Sequence, residues 1–120
     1  MRSVLLIAGL LLSTASAMGQ SHCIEPSMPM PVDGAAASAD QMRAAMADAR
    51  SFIAESGVYQ ECLVKEVDDA KSQAASAGQP FEASVESVAR AKLDVSKKAQ
   101  EKVGATLNNA MAAYKNAHSN

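Results

Sequence analysis

The feature that most constrains this chain is a row of apolar side chains in its middle, spaced for a helix that lies along another helix. The row runs through Met42, Met46, Ala49 and Ile53, then Leu63, Val67, Ala70, Ala74 and Ala77, with Ser56 and Gln60 in the two remaining places. Steps alternating between four and three residues keep every member on one stripe of an α-helix. Phe52 and Tyr59 lie one position off that stripe and are expected to widen it at its middle. Ser38-Ala39-Asp40-Gln41 reads as a capping box and starts the helix near residue 38. Gly78 suits the C-terminal cap and Pro80 the first turn of a following helix, so the first helix is predicted over about 38–77.

A second stripe follows: Phe81, Val85, Val88, Val95, Ala99, Val103, Leu107, Ala110 and Tyr114, interrupted by Lys92. It predicts a helix over about 80–117, with a mean spacing close to that of a straight helix and therefore little supercoiling. At 1.5 Å per residue the two helices span ~60 and ~55 Å. Equal helices joined by a short link make an antiparallel hairpin. A turn centred on Gly78 and Gln79 sets Gly104 opposite Phe52 and Ile53, where a missing side chain would admit a bulky one. The same register brings Val95 near Cys62 and Leu63, and Tyr114 near Met42 and Met46. Gly57, inside the first helix, has no evident reason in the pattern.

No stretch alternates as a half-buried strand would, so the predicted fold is all-α. Aromatic residues make up 3% of the chain and tryptophan is absent, which leaves a thin core of Ala, Val, Met and Leu. Long helices in close approach suit that composition better than a compact globule does.

Residues 23–34 are of another kind. Pro26, Pro29 and Pro31 fix φ, remove backbone donors and hold their predecessors extended, so residues 18–37 are predicted as a polyproline-like strap. Residues 1–17 have the layout of a signal peptide, with Arg2, an apolar run over 4–12, and Ala15-Ser16-Ala17 before an expected cleavage after Ala17. The apolar run is shorter than the ~20 residues a membrane-spanning helix needs. The mature chain is thus expected in the periplasm or outside the cell.

Cys23 and Cys62 are the only cysteines. An even count in a small exported chain reads as a disulfide, and closing that loop should stabilise the fold by ~4 kcal/mol. The reach is sufficient: the 24 residues from Ser38 to Cys62 cover ~36 Å as helix, and the 15 steps from Cys23 to Ser38 cover ~46 Å as polyproline. Pinned at Cys62, the strap doubles back along the first helix with a turn near Asp33 and Gly34. Ile24, Met28 and Met30 are then expected to cover the apolar flank of the hairpin.

Charge excludes some functions. Removing residues 1–17 takes away Arg2 and no acid, which leaves 10 basic and 13 acidic side chains and a net charge of −3. This interspersed, mildly acidic balance gives no footprint for nucleic acid and no polybasic membrane patch. His22 and His118 sit near the chain ends, and no nucleophile has a neighbouring base and an orienting third group, so the chain reads as non-enzymatic with no cofactor. The sharpest chemical alternative is a soft-metal carrier for Cu(I), using His22, Cys23, Met28 and Met30, with Met42, Met46 and Met111 on the helices. The last three fall on the expected stripes and fit better as gap fillers. No metal site is therefore assigned. Ser56, Gln60, Lys92 and Ser96 are expected to form a polar layer that fixes register.

The order of leader, Cys23 and proline-rich strap is followed by Phe52-Ile53-x-x-Ser56-x-x-Tyr59-Gln60-x-Cys62-Leu63. Late in the chain comes Val103-Gly104-x-x-Leu107-Asn108-x-Ala110-x-x-x-Tyr114-Lys115. In this the chain resembles a group of small uncharacterised periplasmic α-helical proteins of Gram-negative bacteria, over nearly all of its mature length. The resemblance implies no activity. It makes Tyr59-Gln60-x-Cys62-Leu63 look like a hallmark of the group, and Phe52, Tyr59, Gln60, Gly104 and Tyr114 are the candidate interaction or packing residues. The expectation is an exported hairpin serving as an envelope binding or structural module, with a protein partner or self-association in reach. A metal or small-ligand carrier is the alternative.

Overall fold

A computed structural model describes residues 22–119 of the chain, and the leader predicted over 1–17 lies outside them. Two helices, α1 (Ala39–Ser76) and α2 (Ala83–Ala117), pack side by side as a long hairpin, and no strand is present among the described residues. None of the described helices is long and apolar enough to cross a membrane.

Local chemistry sets the ends of α1. Ser38 Oγ accepts from the Gln41 N–H at 3.2 Å, and Gln41 Oε1 accepts from the Ser38 N–H at 2.7 Å, closing the capping box. At the other end Gly78 adopts φ +64°, a conformation that costs a side chain most and glycine least. The Gln79 N–H then reaches Ala74 O at 2.9 Å and the Gly78 N–H reaches Ala75 O at 3.2 Å, the two bonds of a Schellman motif. The second helix starts later than its proline suggests. Pro80 and Phe81 stay outside it, Glu82 is the N-cap, and the Phe81 ring packs beneath Lys71, whose Nζ lies 5.4 Å from its centre.

The helices meet through small side chains. In α2 the buried row is Ala89, Ser96, Val103 and Ala110, one residue in seven; in α1, Met42, Ala49, Ser56 and Leu63 keep the same period, with Phe52, Tyr59 and Val67 beside them. Burial that repeats every seven residues is the coiled-coil seam, not the drifting stripe of a straight helix expected for α2. Val85, Val88 and Val95 are therefore exposed, at 39%, 54% and 58%, as is Met111. Likewise Ile53 is exposed while Phe52 and Tyr59 are 5% exposed, the reverse of their expected order. The physical reason is the approach distance. Ala or Ser at the contact row of α2 lets the helices come close enough for the larger side chains of α1 to fill the space between them.

The register matches the expected turn to within one turn of helix. Lys71 pairs with Glu86 at 3.0 Å near the hairpin's closed end, Gln60 meets Ser96, Phe52 and Ala49 pack with Val103, and Met42 packs with Ala110. Gly104 is not the socket predicted for Phe52. It is half-buried, and a Cβ there would meet nothing within 4 Å.

The strap forms a third layer over the open half of the hairpin. Asp33 turns the chain, accepting the Ala36 N–H on its carbonyl at 3.2 Å and the Ala35 N–H on Oδ1 at 3.1 Å. Gly34 in this turn is pressed onto α2, where a Cβ would sit 1.8 Å from Ala110 O. Val32 and Ala37 join Met42, Ala110 and Tyr114 in a small core below it. At the far end Cys23 is bonded to Cys62, with 5.6 Å between their Cα atoms.

These contacts separate two kinds of glycine. Gly34→Ala should destabilise the protein by about 1–3 kcal/mol, because the turn must lift off α2. Gly104→Ala should be stabilising by roughly 0.5–1 kcal/mol through helix propensity alone. Urea unfolding of both variants checks the contrast.

Candidate functional site

The site is assembled where the strap crosses the groove between α1 and α2. A polyproline-like chain turns once in three residues, so one residue in three can face the helices. Cys23, Pro26, Pro29 and Val32 are the half-buried members of the strap, and every residue between them is exposed. The expected covering by Ile24, Met28 and Met30 holds only in part: Ile24 is 87% exposed and lines neither cavity beneath the strap, while Met28 and Met30, 48% and 90% exposed, overhang the groove without packing into it. The period of three, not hydrophobicity, decides which strap residues face inward.

Among the described residues, no side chain or backbone group of residues 24–32 makes a hydrogen bond. Pro26, Pro29 and Pro31 have no N–H to give. The strap is held at its ends: by the disulfide, by the His22 N–H donating to Glu66 Oε1 at 2.6 Å, and by the turn seated on Ala110. Between those points it lies across the groove without a hydrogen bond to the other described residues.

Two cavities open beneath it. The larger, about 370 Å³, is roofed by Met28, Pro29, Met30, Pro31 and Val32. Its floor is Ala45 and Ala49 of α1 with Val103 and Leu107 of α2, and its polar groups are Lys102 and Thr106. The smaller, about 140 Å³, lies between Pro26, Met28 and Phe52, with Glu25, Ser56, Ser96 and Ala99 around it. Ser56 is fully buried and its Oγ has no hydrogen-bond partner, an arrangement that costs about 1–3 kcal/mol.

Next to this cavity is a connected polar layer. Gln60 Nε2 donates to Ser96 Oγ and to Gln100 Oε1, both at 3.0 Å, and Gln100 Nε2 donates to Ile53 O at 3.1 Å. Of the four residues expected in it, Gln60 and Ser96 take part, while Ser56 has no partner and Lys92 lies towards the closed end of the hairpin. Gln100 was not anticipated. It lies on the α2 face towards Gln60, but its spacing in the sequence carries no apolar signal.

The remaining predicted residues are structural neighbours of the site. Phe52 forms the wall between cavity and seam, packed on Ala49 and Val103. Tyr59 is buried near the pinned end of the strap; burial first, then the charges of Glu25 and Glu66, hold its hydroxyl above the usual 10.0. Tyr114 is half-buried at the other end, where its ring stacks on His118 at 4.2 Å. Cys23, Cys62 and Glu66 bring their ligand-type atoms within 4.8 Å of one another, but two of these are the disulfide sulfurs, which offer no thiolate.

The larger cavity itself was missed. Ala45, Lys102 and Thr106 carry no motif, and only the path of the strap gathers them with Ala49, Val103 and Leu107 of the two apolar rows. Comparison with known proteins yields no match to a family model, a curated protein or a solved structure.

Tyr59 reports on the strap. Because its folded-state pKa is raised, its stabilising contribution is present below pH 10 and is lost as pH climbs through the higher folded value. In a Tyr114→Phe variant, where Tyr59 is the sole tyrosine, absorbance titration should give a midpoint above 10.0 in the oxidised protein. Reducing the disulfide should move that midpoint back towards the ordinary value.

Proposed function

We propose that this chain is an exported, non-enzymatic binding module of the bacterial envelope, which takes a small ligand between its strap and its helical hairpin. One observation carries the reading. An apolar cleft of about 370 Å³ lies under a roof that is covalently pinned but, among the described residues, makes no hydrogen bonds of its own. That volume is in the range of small-molecule sites, about 300–1,000 Å³, which are apolar with a few placed polar groups. A roof without polar contacts adjusts to a ligand at low cost, and its methionines add side-chain freedom.

The leader-like residues 1–17, the cysteine pair and the resemblance to periplasmic helical proteins support the location. The soft-metal reading is weaker, since Cys23 is bound to Cys62 and the strap keeps only thioethers as soft ligands. Self-association has its own support in Val85 and Val88, which line an open groove with Leu63 and Val67 beyond the strap's end. It would add an assembly mode to the same module.

The test is to express the whole chain in a Gram-negative host, release it by osmotic shock, and examine it by native mass spectrometry before and after reduction. The reading expects a mature chain beginning at Met18, with an organic molecule retained when oxidised and lost when reduced. An uncleaved cytoplasmic chain, or a mature chain that carries stoichiometric copper and nothing organic, would contradict it.

A further inference from the structure

We infer that the larger cleft binds a free single-chain carboxylate amphiphile, with its alkyl chain under the strap and its head group at Lys102 and Thr106. The inference rests on the small-ligand reading above and names the ligand's chemistry. The polar groups of the lining decide it. Among the described residues lining the cleft, Lys102 alone is charged, and no carboxylate accompanies it. Among the described residues Lys102 forms no ion pair and Thr106 no side-chain hydrogen bond. The two are four residues apart on α2 and so lie on one face, offering an ammonium and a hydroxyl at one corner of an otherwise apolar space.

A ligand that fills this cleft without leaving polar groups stranded has one anionic end and an apolar remainder. A peptide does not meet that condition. Its N–H and C=O groups would enter a lining whose roof holds Pro29 and Pro31 and whose floor is Ala, Val and Leu, and each unpaired group would be costly. A cationic amphiphile would bring like charge to Lys102. The floor also fits a narrow chain: Ala45 and Ala49 leave the space, while Val103 and Leu107 supply apolar walls. Met28 and Met30, 48% and 90% exposed, gain a contact when a ligand fills the cleft. That accounts for apolar strap side chains that the packing does not use.

Calorimetry on the oxidised full mature chain tests this, with monomeric dodecanoate, dodecylammonium of the same chain length, and vesicles containing anionic phospholipid as separate probes. Dodecanoate should bind one to one below its micelle concentration, and dodecylammonium at least tenfold more weakly. Lys102→Gln, an exposed substitution, should weaken dodecanoate at least tenfold with unchanged helical circular dichroism. Ala45→Phe, which fills the cleft, should abolish binding; where it perturbs folding, Lys102→Gln decides the matter alone. Equal affinity for the two head groups, an unaffected Lys102→Gln variant, or binding to vesicles without binding to monomeric dodecanoate overturns the inference. If dodecanoate fails while a different organic molecule is retained on the natural chain until reduction, this inference falls and the broader reading stands.

Discussion

The bond between Cys23 and Cys62 is what makes the strap part of the fold. Among the described residues, 24–32 make no hydrogen bond and half-bury only one residue in three, so neither polar contacts nor apolar area fixes them along their length. Closing the loop of about 40 residues removes unfolded-state entropy amounting to ~4 kcal/mol, a large share of a small domain's stability. The opposite anchor is steric. Gly34 lies so close to the carbonyl of Ala110 that the turn has one seat, and Asp33 shapes the backbone that reaches it. A chain tied at two points and unbonded between them forms a bridge, and the cleft is the space under that bridge.

The hairpin below shows why a bridge is needed. Its seam is built from alanine and serine on α2 against larger residues on α1, which gives close helices but little buried area. Where the strap crosses, Phe52 and Val103 are buried, together with Ala49. Beyond Cys62 the strap is absent, and Val85, Val88 and Val95 are left exposed. The two halves of the hairpin thus differ in what covers them more than in how their helices pair. The Gln60, Ser96 and Gln100 layer lies near the boundary between them and ties the register there with directional bonds.

Much of this was legible in the sequence because it rests on local chemistry. Ser38 with Gln41 marked the start of α1, Gly78 its end, and the two cysteines of the sequence marked the staple. Facing was harder. In an alanine-rich helix the most apolar residues do not mark the contact row, since Ala89 and Ser96 permit an approach that Val88 and Val95 would prevent. The strap misled for a related reason: Ile24 and Met30 are apolar, but a period of three directs Pro26 and Pro29 inward. Gly104 looked like a socket and faces open space, while Gly34 looked like an ordinary turn residue and makes the tightest approach. The cleft itself had no signal, because Ala45, Lys102 and Thr106 acquire meaning only once the strap's path is known.

The most direct test of the two anchors is methyl NMR of the protein before and after reduction. Met28 and Phe52 line the same small cavity, and Val32 packs in the core beside Ala110. The account predicts Met28–Phe52 contacts in the oxidised protein that vanish on reduction, while Val32–Ala110 contacts and the helical backbone signals persist. Met28–Phe52 contacts that survive reduction would contradict it, because the strap would then be held along its length and not at its ends.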